Sequence, residues 1–167
     1  MKTTLDRLRT LVKDKSVAGG TLSYVQGVEV VHPELELTTI TITSLPKILL
    51  VPVSTLEEWI ASQEKQATHV VVAYMVIRYM QRESSIMGDI TRSGGQGKGI
   101  MDFAEDFISV VRGHRLATGG TPYLHKPLDI QNVDYMLQEN DSGHLLIAAV
   151  TMQAVRTFLQ TSLPGDV

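Results

Sequence analysis

Cysteine is absent from all 167 residues. That removes disulfides, thiolate nucleophiles and every zinc site built on cysteine. Aromatic residues are scarce, at 5%, so the core must be built on aliphatic side chains. No long apolar run exists; the longest, Val70 to Ile77, is far too short to cross a bilayer. Charges at Lys2, Asp6, Arg7, Arg9, Lys13, Asp14 and Lys15 leave no apolar signal-peptide core near Met1. The expectation is a protein made and kept in the cytoplasm, or released by lysis. An excess of positive charge is missing too. The net charge is −3 and the pI about 5.9, against the basic stripe of a duplex-binding domain. Passage of DNA past the protein is compatible with that balance.

What is present is ordinary globular composition, with 43% hydrophobic and 20% charged residues, and a length suited to one domain over 1–167. Leu5, Leu8, Leu11 and Val12 share one helical face, which predicts a helix over Thr4–Lys13. Gly19-Gly20 punctuates the chain. Alternation predicts strands over Thr21–Val31 and Leu35–Thr43, with Pro33 between them, and the short apolar run Ile48–Val53 predicts a strand buried on both faces. Ser54 and Thr55 are each followed three residues later by Glu57 and Glu58. That capping-box spacing predicts a short helix or ordered loop over Ser54–Ala67. His69–Met80 is apolar on both faces and reads as a central strand. Glu83–Gly99, with five glycines and three serines, reads as a long mobile loop.

The clearest helix is Ile100–Arg112. Ile100, Phe103, Ala104, Phe107, Ile108 and Val111 line one face, and Gly113 is a stop. Phe103, Phe107 and Val111 should pack on the sheet through Ile48, Leu50, Val70 and Val72, or through the opposite strand faces. The rest reads as a hairpin: one arm from Leu128 to Leu137 with a bulge at Gln131-Asn132, a turn at Glu139–Gly143, and a second arm from His144 to Phe158. The fold class is α+β, a mainly antiparallel sheet with helices on one face.

Candidate chemistry is sparse. Ser93-Gly94-Gly95-Gln96-Gly97-Lys98-Gly99 precedes a helix, as a phosphate loop does. The spacing fails: the required first glycine is Arg92, and Gly99 stands where a magnesium-binding Ser or Thr belongs. No Gly-x-Ser-x-Gly elbow exists. His32, His69, His114, His125 and His144 never recur at i, i+4, and they read as surface or strand-end residues. Asp102, Glu105 and Asp106 fit the charge preference of a helix start. These readings leave no catalytic residue, no metal and no cofactor. Arg78 interrupts an apolar strand and suggests a face meeting solvent, a partner or a channel. Trp59 and Tyr123 read equally as packing aromatics or interface anchors.

The order of elements is similar to that of the tail terminator proteins of long-tailed bacteriophages. The matching pieces are Thr4–Lys13, Pro46–Val53, His69–Met80, Ile100–Arg112 and the hairpin from Val133 to Ile147 with its acidic turn. The resemblance covers most of the chain as a pattern, without a diagnostic motif. It implies a virion structural protein, assembled in the host cytoplasm into a homo-oligomeric, six-fold ring. That ring caps the tail tube, stops its polymerisation and gives the head–neck connector a docking face. The implied partners are further copies of the chain, the tail tube protein, the sheath protein where there is one, the connector, and genomic DNA passing through the lumen without specific binding. Candidate contact residues are Arg78, Arg92, Gly94, Gly95, Lys98 and Tyr123. Two alternatives stand beside it: another neck or head–tail joining protein, and a small ligand-binding or enzymatic domain using the Gly97-Lys98 loop.

Overall fold

The computed structural model describes residues 1–32, 45–79, 82–88, 98–117, 119–140 and 143–159. In chain order these form α1 (Lys2–Lys15), β1 (Gly27–Val30), β2 (Lys47–Ala61), β3 (Glu64–Arg78), α2 (Arg82–Met87), α3 (Ile100–Val111), β4 (Asp129–Asn140) and β5 (Gly143–Leu159). The five strands make one sheet in the order β1-β2-β3-β5-β4, parallel between β1 and β2 and antiparallel elsewhere. This is the α+β architecture that the alternation and helical periodicity predict.

The sheet has two unlike faces. Ile48 and Leu50 of β2, Val71, Ala73, Met75 and Ile77 of β3, and Leu146, Ala148, Val150 and Met152 of β5 point to one side. There they join Leu5, Leu8 and Val12 of α1 and Phe103, Phe107 and Val111 of α3 in one core. Both helices therefore cover the same face. Val70 and Val72, offered as partners of the α3 phenylalanines, point the other way, because side chains alternate along a strand. Val71 and Ala73 take that place. On the far side Leu49, Val76, Leu145 and Ile147 form a smaller cluster.

Of the central strand expected over His69–Met80, His69–Arg78 lies in β3, between β2 and β5, and each of these residues pairs with β5; Met80 lies outside the described residues. Of the run Ile48–Val53 expected to be buried on both faces, Ile48–Val51 is buried, whereas Pro52 is half-buried and Val53 exposed. The bulge in β4 is also present, between Ile130 and Asn132.

Several expectations need correction. Ser54–Ala67 is neither helix nor loop: β2 continues to Ala61, turns at Ser62-Gln63, and returns as β3 from Glu64. The capping-box spacing is overridden by pairing, since Ser54 to Trp59 sit opposite Val70 to Lys65, and Val53, Thr55, Trp59 and Ile60 favour strands. Only Gly27–Val30 of the strand expected over Thr21–Val31 forms; Thr21–Tyr24 is turn, with Leu22 fully buried against the core. Five residues of the expected mobile loop, Glu83–Met87, lie in α2. The expected strand Leu35–Thr43 lies outside the described residues, as do Arg92, Gly94 and Gly95.

Side chains from the segment after α1 and from α3 meet at Lys98. Tyr24 donates to Asp106 Oδ2 at 2.8 Å, and Lys98 is ion-paired with the same carboxylate while standing 5.3 Å over the Tyr24 ring. Burial first, and then the bonded Asp106 carboxylate, push the Tyr24 phenol far above its ordinary pKa. Lys98, expected at a contact or on a phosphate, is thus held by its own chain.

Candidate interaction surface

β2 changes character at Pro52. Residues Lys47–Val51 are buried, whereas every side chain from Val53 to Ala61 is exposed. β1 pairs only with Lys47–Leu50, so among the described residues no strand lies beside the outer edge of β2 beyond Leu50. Pro52 fits there because an edge position needs no amide donor on its open side. β2, β3 and the end of β5 then run on as a three-stranded arm, with Glu57 opposite Ala67 and Ala67 opposite Arg156. Val53, Leu56, Trp59 and Ile60 are each at least half exposed on this arm.

The face of the arm that continues the helix-covered side of the sheet carries an alternating series of cations and rings. Lys65 Nζ lies 4.6 Å from the Trp59 ring centre and 3.8 Å from Glu57 Oε2. Phe158 is the cross-strand neighbour of Lys65, and the Arg156 guanidinium sits 5.6 Å over it. The same guanidinium stands 4.6 Å from the Tyr123 ring, whose other neighbour is Arg7 at 4.2 Å. Tyr123 is thus flanked by two guanidinium groups. Among the described residues neither has a carboxylate within ion-pairing distance.

Local backbone contacts build this arrangement. Tyr123 and Leu124 donate to the Arg115 carbonyl, and His125 donates to the Val155 carbonyl at 2.8 Å, which fastens the segment after α3 across β5 beside Arg156. Arg7 Nη1 donates to the Leu116 carbonyl at 3.0 Å, tying α1 to the same segment. Replacing Tyr123 with Leu keeps most of the apolar contact but removes the ring quadrupole. The variant is expected to lose about 1–2 kcal/mol for two half-buried cation–π contacts. Urea denaturation measures it, and an unchanged midpoint contradicts the stacking.

His69 completes the inner end of this surface. It is not a surface or strand-end residue: it lies within β3 and is buried, because Thr55 and the start of α1 cover it. Thr55 Oγ1 lies 2.9 Å from Nδ1 and the Met1 amine 3.3 Å from Nε2. Burial first, then the positive Met1 amine and Arg156, hold the imidazole below its ordinary pKa, with Glu57 opposing them. The Met1 amine is lowered as well, by burial and by Arg156. Unfolding releases both groups to their higher ordinary values, so the unfolded chain binds more protons. The stability contributed is full above the ordinary values and falls as pH drops through about 6.5. Expected, therefore, is a lower urea midpoint at pH 5.5 than at pH 7.5, with a smaller difference in His69→Gln. A difference unchanged by that substitution contradicts the assignment.

Of the candidate contact residues, Tyr123 belongs to this surface. Arg78 does not; it is exposed at the opposite end of β3, roughly 35 Å along the strand from Ala67 at about 3.3 Å per residue. Arg7, Lys65, Arg156 and Phe158 were not singled out in the sequence. They lie far apart along the chain, and only strand register and the start of α1 bring them together. Among the described residues no group of three His, Asp or Glu side chains could hold a metal ion. No described helix is long and apolar enough to cross a membrane.

No protein-family model and no curated protein matches the chain.

Proposed function

We propose that the chain is a structural subunit that associates with copies of itself into a ring, in the manner that the resemblance to tail terminators implies. In this reading the ring caps a tail tube, ends its growth and presents a face to the head–neck connector. The supporting observation is the arm. Val53, Leu56, Trp59 and Ile60 are exposed on a paired, extended stretch of β2 beyond its last core residue, Val51. Exposed apolar side chains gathered on one element mark association sites. Among the described residues, the outer edge of β2 beyond Leu50 and the edge strand β4 present backbone groups without a strand partner, which invites contacts between copies.

Native mass spectrometry of the purified chain tests this. The expected species has six times the 18.4 kDa mass of one chain and appears as a ring in electron micrographs. A monomer at every concentration removes the reading.

A further inference from the structure

The cation–ring series on the arm has a counterpart of opposite charge on the edge strand β4, beside the far end of β5. On β4 the side chains of Tyr135 and Leu137 point to the helix-covered side, since they stand opposite Ala148 and Leu146. They are 49% and 56% exposed. Glu139 follows on the same side of the strand, and Glu105 of α3 stands close enough to raise the Tyr135 phenol pKa, second to burial. This second patch carries two carboxylates beside an aromatic ring and an aliphatic side chain. The first carries Arg7, Lys65 and Arg156 beside Trp59, Phe158 and Tyr123.

The geometry points to a heterologous contact in which the Lys65–Arg156 face of one copy's arm receives the Tyr135–Leu137–Glu139 margin of the next copy. This inference rests on the ring reading and specifies its interface. Three observations favour a second copy as the occupant. The two patches have opposite sign within a chain of net charge −3. Both mix exposed apolar side chains with charge, the composition of an interface core and its rim. They lie at opposite ends of β5, with Glu139 beside its first residues and Arg156 near its last, so that each copy can give one patch and receive with the other, which generates rings when the rotation closes. Guanidinium groups stacked on rings keep their donor edges free for carboxylates, which suits Arg156 to Glu139 or Glu105 of a neighbour. Lys65 lies over the Trp59 ring and has one carboxylate contact, with Glu57 at 3.8 Å, to exchange.

The test is complementary charge reversal read by native mass and sedimentation. Arg156→Glu and Glu139→Arg, each alone, are expected to weaken association by about tenfold or more, because like charges then face each other across the contact. The double variant is expected to regain assembly, and raised salt to loosen only the wild type and the double variant. Lys65→Glu serves as a second reversal on the basic side, because it leaves the Tyr123 stack intact. Circular dichroism checks that every variant is folded. If the wild type forms rings that all three single reversals leave unchanged, this contact is wrong while the ring reading stands. If the wild type is monomeric throughout, both fall. A labelled single-stranded oligonucleotide provides a further arm: binding abolished by Arg156→Glu, with ring formation unaffected, assigns the basic face to nucleic acid and overturns the contact.

Discussion

Phe107→Ala is expected to cost about 3–5 kcal/mol. Phe107 is fully buried on α3, at the face that meets both α1 and the sheet. Its removal leaves a void the size of a benzyl group. The surroundings are poorly able to close it: Val150, Ala148 and Ala73 are fixed in paired strands, and Leu8 and Val12 on a helix held by its own contacts. For a chain of this length the loss lowers the melting temperature by roughly 6–20 °C. Calorimetry or a thermal melt followed by circular dichroism measures it. A loss under about 1 kcal/mol means that the α1–α3–sheet core is looser than these contacts require.

The second large effect is expected at Gly99, immediately before α3. A Cβ there would stand 2.3 Å from the amide nitrogen of Gly88 and 2.4 Å from the carbonyl oxygen of Ile86. Both are backbone atoms, so no rotamer change relieves the contact. The end of α2 or the start of α3 must move instead. Movement of α3 also strains the Gly99 amide bond to Asp102 Oδ2 at 3.1 Å and the pairing of Lys98 with Asp106. Gly99→Ala is expected to cost about 2–3 kcal/mol, as overpacking against rigid atoms does. Gly113→Ala is the informative contrast. Its Cβ meets nothing, and the cost of about 1–2 kcal/mol comes from its φ of +76° alone. Equal and small losses at both positions, read from urea midpoints, contradict the close crossing of α2 and α3.

Local periodicity made much of this fold legible. The face of α3 from Ile100 to Val111 follows from helical spacing, and the hairpin of β4 and β5, with its bulge, from alternation and the Gly143 turn. The central place of β3 follows from its being apolar on both sides. The arm was not legible, for a physical reason. Ser54–Ala67 holds a capping-box spacing and two adjacent glutamates, and it becomes strand only because β3 and β5 lie beside it. Pairing of that kind is non-local and leaves no trace in a short window. The same holds for the cation–ring series. Arg7 lies more than a hundred residues from Tyr123 and Arg156, and those two are separated by the whole of β4 and most of β5. Tyr123 reads in the sequence as either a packing aromatic or an interface anchor; nothing in the neighbourhood of Arg7 or Arg156 distinguishes them from solvated charges. His69 went unnoticed as a buried residue because what covers it is the start of α1.

The passage of β2 from interior to margin has a kinetic consequence within one strand. From Lys47 to Leu50 the strand lies between β1 and β3, so its amides have partners on either side. Beyond Leu50, alternate amides face β3 and the open side. Deuterium uptake should therefore change its rhythm at Val51: uniformly slow before it, alternately slow and fast after it. Antiparallel edges expose every second amide to solvent. In an assembled ring, any outward amides that a neighbour covers slow down, and the length of the slowed stretch measures how far that neighbour reaches along the strand.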